Sequence, residues 1–100
     1  MDRERLKAEA EAAVTAAGIL STPALIALLD AHNVDPISYD LKGSNAGEQY
    51  VVDHNTPRGW SVHFAERGDR TNERWFNSEA EAFAEVARRV LADPTTRRRS

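Results

Sequence analysis

Apolar positions at Leu6, Ala10, Ala13, Val14 and Ala17 recur at the spacing of one helical face, with charged residues between them, and predict a helix over residues 2–17. Only Leu6 and Val14 are large in that stripe, and six of the helix residues are alanine, so propensity is high while the area available for burial is small. Gly18 supplies the stop. Ser21-Thr22-Pro23 then offers a capping hydroxyl followed by proline in the first turn. Leu25, Leu28, Leu29 and His32 share a face, with Ile26 beside it, which predicts a second and more apolar helix through about His32. Asn33 terminates it, and Asp35-Pro36 leads into extended chain.

From Ile37 the period changes to alternation: Ile37, Tyr39 and Leu41 point one way, Ser38 and Asp40 the other. Lys42 to Gly47 reads as a loop, and Gln49 to His54 as a second strand, joined to the first as a hairpin. Asn55-Thr56-Pro57-Arg58-Gly59 is a turn. In Trp60 to Glu66 the alternation is clearest, with Trp60, Val62 and Phe64 on one face. The chain must reverse at Glu66-Arg67-Gly68, where glycine is expected to take a positive φ. Gly68 to Asn72 reads as loop and Glu73 to Phe76 as a short fourth strand.

Ser78-Glu79-Ala80-Glu81 has the spacing of a capping box, and Phe83, Val86, Ala87, Val90 and Leu91 follow at helical spacing until Asp93-Pro94. The predicted class is α+β: two N-terminal helices, an antiparallel sheet of about four strands, and a C-terminal helix packed on the sheet. One domain is expected over residues 1–94, with a disordered basic tail over 95–100.

The chain has 100 residues, the size of one domain, and its 41% hydrophobic and 29% charged residues are those of a chain that folds. It has no cysteine, hence no disulfide and no thiolate chemistry. The opening Met1-Asp2-Arg3-Glu4-Arg5 runs into an alanine- and glutamate-rich segment without the apolar core of a signal peptide, and no stretch reaches transmembrane length. The expected location is the cytoplasm, with no membrane partner. Setting aside Arg97, Arg98 and Arg99 leaves 10 basic residues against 16 acidic ones, a formal −6 that disfavours nucleic acid and favours a basic protein partner.

Among the three histidines no metal-binding spacing such as HExxH occurs, and two imidazoles without a third ligand rarely hold zinc; His32, His54 and His63 read as surface or hairpin-edge residues. Glu66 closes the Trp60 face at the border of the expected core, where desolvation can make a general acid, although a carboxylate closing a strand more commonly accepts hydrogen bonds. Arg67-Gly68-Asp69 spells an integrin-binding tripeptide, which without a secretion signal reads as coincidence, since a hairpin turn explains Gly68 and Asp69. No glycine-rich phosphate cradle and no nucleophile-base set can be assembled, so no catalytic, metal-ligating or cofactor-binding residue is assigned.

Trp75 and Phe76 are adjacent, so on a regular strand one points to the core and the other away; a bulge that tucks both in is the alternative. An aromatic on the face away from the helices is a natural interface anchor. Ser61, His63 and Trp75, with Asp69 and Glu73, are accordingly the candidate partner-binding residues. A small regulatory or adaptor protein, acting on nucleic acid through the helix pair at residues 2–32 or on another protein, is the alternative class, and the acidic body argues against the nucleic-acid form. A small enzyme using Glu66 and His63 ranks lowest, because the two lie on opposite faces of one strand.

The stretches 33–41 and 50–52, the run Trp60-Ser61-Val62-His63-Phe64-Ala65-Glu66-Arg67-Gly68, and Phe76-Asn77-Ser78-Glu79-Ala80-Glu81-Ala82 resemble a set of small actinobacterial proteins. Those are similar to immunity proteins encoded beside polymorphic secreted toxins, some with NAD-hydrolysing domains. The likeness covers roughly residues 20–94. It is most specific in the Trp-x-Val strand ending in Glu-Arg-Gly and in the Phe-x-x-Glu-x-x-Ala entry to the last helix. The resemblance implies a cytoplasmic protein that binds a cognate toxin and blocks its active site; the expected partner is a toxin of NAD-hydrolysing type or, with the acidic body in view, a basic nuclease. It carries over no catalytic residue and no cofactor.

Overall fold

The computed structural model describes residues 3–18, 21–41, 48–55, 58–66 and 69–98. Helix α1 (Arg3–Ala17) ends at Gly18, which takes φ +56° and returns its N–H to the Val14 carbonyl. Helix α2 (Thr22–Ala31) opens on Ser21, whose Oγ accepts from the Ala24 N–H. It closes in a Schellman turn: Asn33 sits at φ 62°, its N–H reaches the Asp30 carbonyl, and the Val34 N–H reaches Leu29. Helix α3 (Glu79–Leu91) is capped by Ser78, whose Oγ accepts from the Glu81 N–H and donates to the Glu81 carboxylate. These are the terminators expected from the sequence.

The sheet has four strands, β1 (Tyr39–Asp40), β2 (Gln49–Asn55), β3 (Gly59–Glu66) and β4 (Asp69–Phe76), in the order β1-β2-β3-β4. It is mixed, where an antiparallel sheet was expected. β1 runs parallel to β2, pairing Tyr39 with Tyr50 and Asp40 with Val51, so the two are not a hairpin. The departure from the expected strand begins just upstream. Asp35 Oδ1 accepts from the Ile37 N–H and Pro36 opens a 3₁₀ turn, Pro36–Ser38, which consumes the first half of the expected strand and leaves Ile37 74% exposed. Only two extended residues remain, and a strand that short advances about 7 Å. The expected loop at 42–47 and the Arg67-Gly68 corner lie outside the described residues.

β4 starts at Asp69, earlier than the expected Glu73. Its first six residues are exposed edge positions with no apolar alternation, so nothing in their pattern marks a strand; pairing with β3 makes it one. Between Val62 opposite Arg74 and Phe64 opposite Thr71, β3 has one residue and β4 has two. This is a β-bulge, with Asn72 at φ 55° in the left-handed region. Gly59 is the other constrained site. It holds φ +103°, and a Cβ there would lie 2.5 Å from the Phe76 carbonyl oxygen.

α3 covers one face of the sheet. Its Ala82, Phe83, Val86, Ala87 and Val90 are buried against Val52 and Val62, with Tyr50, Trp60 and Phe76 partly buried around them. α1 packs on α3 through Ala10 and Val14, and α2 contributes Leu25 and Leu29. Residues 95–98, given to a disordered tail by their polarity, belong to the fold. Thr96 is buried, its hydroxyl donates to the Val90 and Asp93 carbonyls, Arg97 bridges to Val34 and caps the end of α3 at the Leu91 carbonyl, and Arg98 pairs with Asp30 at 2.6 Å. Counting Arg97 and Arg98 with the body gives 12 basic against 16 acidic residues, −4 instead of −6. Among the described residues no helix is long and apolar enough to cross a membrane.

Candidate functional site

Strand alternation and the register sort the sheet's side chains. Tyr50, Val52, His54, Trp60, Val62, Phe64 and Phe76 share the α3 face; Val51, Asp53, Ser61, His63, Ala65 and Trp75 share the other. Trp75 and Phe76 thus diverge, Phe76 into the core and Trp75, part-buried, to the face that none of the described helices covers. The bulge is at Asn72, not at the aromatic pair.

Asp53, Ser61 and Trp75 form one cross-strand row on this face, and Gln49, Ala65 and Arg70 another. His63 lies between the rows. Arg70 bridges them: its guanidinium donates to Asp53 Oδ2 at 3.1 Å and to Glu73 Oε2 at 2.6 Å. Because Asp53 is on β2 and Arg70 on β4, the side chain crosses β3 at the level of His63. Glu73 Oε2 is also 3.8 Å from His63 Nδ1. Two ion pairs fix the arginine, and they strengthen its hold on its proton, the Glu73 hydrogen bond most of all.

Ser61 and His63 are fully buried. They form the floor of the face and are not surfaces that a partner touches directly. Burial, reinforced by the charge of Arg70, pushes the imidazole below the ordinary histidine range, while Glu73 and Asp53 pull the other way. Ser61 Oγ has no hydrogen-bond partner among the described residues. Asp69 pairs with Glu66, on the sense of the strand opposite to His63, and does not join the group. So the sequence-derived set divides: Trp75 and Glu73 reach the surface of this face, Ser61 and His63 lie beneath it, and Asp69 is elsewhere.

Sequence reasoning missed Asp53, Arg70 and Arg58. Arg58 is exposed and stacks on the Trp75 ring at 4.9 Å. No local signal could have found the first two, since only the register brings them together; the Arg58-Gly59 turn ahead of a strand was the one hint for the third. Glu66 is exposed and faces away from His63, and His54 stacks on Trp60 at 4.1 Å on the helix side, so neither joins His63. Among the described residues no three His, Asp or Glu side chains are grouped to hold a metal ion.

A concavity of about 1000 Å³ lies on the helix side, floored by Tyr50 and Phe64 and rimmed by Arg74, Arg89 and Asp93. Three of the polar groups around it are used within the fold: Tyr50 Oη donates to Asp93 at 2.9 Å, and Arg89 donates to Glu85 and to the Val62 carbonyl.

Fold and site together define a small α+β domain with one helix-covered sheet face and one face carrying an ordered charged and aromatic patch. Comparison with protein-family models, curated proteins and solved structures finds no match.

Proposed function

We propose that the chain is a protein-binding module of the immunity type, neutralising a cognate secreted toxin in the cytoplasm by stoichiometric binding. The observation that carries this reading is the face opposite α3, where Arg70 is held between Asp53 and Glu73 and Trp75 stands beside Arg58. Trp and Arg are the side chains in which binding energy concentrates at protein interfaces, and groups already fixed by ion pairs lose little entropy on docking. An inhibitor needs a rigid complementary surface, and a domain of this size can supply the roughly 800 Å² of a standard interface. The net negative charge speeds association with a basic toxin. The resemblance of the Trp60 strand and of the entry to α3 to immunity proteins points the same way.

The test is to identify the adjacent gene and, where it encodes a secreted protein, to co-express its C-terminal domain with this chain. The expected result is a 1:1 complex by light scattering and protection that scales with the molar ratio. Protection at far substoichiometric levels would indicate catalysis instead. No complex, together with sequence-specific retention of DNA, would favour the nucleic-acid regulator.

A further inference from the structure

Arg58 differs from every other arginine whose side chain is described. The others each hold a carboxylate or, for Arg97, the carbonyls at the end of α3. Among the described residues Arg58 has neither: it is exposed, and its guanidinium lies over the Trp75 ring. We infer that Arg58, backed by Trp75, is the anchor through which the helix-free face takes a carboxylate from its protein partner, an inference that rests on the binding reading above.

Three features carry it. The ring beneath the guanidinium limits its rotamers and shields one side from water, so a carboxylate arriving at the fork meets a cation already positioned for two parallel hydrogen bonds. Trp75 is itself part-buried, opposite the buried Ser61 in the row that ends at Asp53. Finally, the ion-paired carboxylates of Asp53 and Glu73 lie on the same face. A phosphate backbone laid across Arg58 would bring neighbouring phosphates against those carboxylates, whereas a single aspartate or glutamate of a protein would not. The partner chemistry that fits is an acidic side chain within an otherwise basic surface.

The experiment uses the full chain and its complex with the adjacent toxin domain. Arg58→Gln, Arg58→Glu and Trp75→Phe are compared with wild type by calorimetric titration at two salt concentrations, with melting curves as the folding control. Expected is a loss of affinity of about tenfold or more for Arg58→Gln at unchanged melting temperature. Arg58→Glu should lose more, and reversal of one acidic residue on the toxin to arginine should restore it. A wild-type complex that Arg58→Gln leaves within about twofold overturns this inference and spares the binding reading. A wild-type chain that forms no complex removes both. Retention of DNA that Arg58→Gln abolishes assigns the arginine to phosphate and overturns the carboxylate.

Discussion

Arg70 and Glu73 stand three residues apart on β4 yet present their side chains to the same face of the sheet, 2.6 Å from one another. On a regular strand residues at that spacing point to opposite faces. The extra residue at Asn72 shifts the alternation by one, and its φ of 55° is what accommodates the bulge. The charged bridge over His63 therefore depends on a backbone irregularity in the most polar strand of the chain.

Substitution at position 72 separates the conformational demand from the side chain. Asn72→Gly keeps the left-handed backbone accessible and is expected to leave stability within about 0.5 kcal/mol, while a β-branched Asn72→Val is expected to lose about 1–2 kcal/mol. Chemical denaturation of the two variants decides it. Equal stabilities would show that the bulge places no demand on that residue.

Gly59 carries a steeper requirement. At φ +103°, with the Phe76 carbonyl oxygen 2.5 Å from the place of a Cβ, Gly59→Ala must both strain its own backbone and push β4 from β3. The expected cost is about 2–3 kcal/mol, read as a clear drop in melting temperature. A variant that melts with wild type would contradict the close approach of Gly59 to Phe76.

His63 makes stability depend on pH in a defined sense. Its folded pKa is lowered, mainly by burial, so the unfolded chain binds the proton more readily than the folded one. The stability tied to the neutral imidazole is complete above the ordinary value of 6.5 and is lost as pH falls from there toward the lowered folded value. Melting curves at about pH 7.5 and about pH 5.5 should show a smaller acid loss for His63→Gln than for wild type. The same loss in both would assign the acid sensitivity to other groups.

The C-terminal segment is the fourth case. Thr96 donates to two carbonyls from a buried position, and Arg98 ties the end of the chain to Asp30 on α2. Ending the chain at Thr95 removes these contacts and should cost about 2 kcal/mol, and Thr96→Val about 1 kcal/mol, both measured by denaturant unfolding. A truncated chain as stable as the full one would return these residues to the role of a tail.

The helices were legible because their signals are local. Ser21, Ser78, Gly18 and Asn33 sit where a backbone group needs a cap or a left-handed turn, and a cap depends on neighbours within a few residues. Strand β3 was legible for the same reason, since Trp60, Val62 and Phe64 declare one face by themselves. Polar β4 had no such pattern, and the direction of β1 was hidden by a 3₁₀ turn that imitates alternation at Ile37. The sequence by itself therefore determined the helices, the central strand and the divergence that a regular strand imposes on Trp75 and Phe76. Only the tertiary structure decided which of the two points inward, the mixed sheet, the packing of residues 95–98 and the Asp53-Arg70-Glu73 bridge. Those features come from hydrogen bonds and ion pairs between residues far apart in the chain, which bring together side chains that no local period relates.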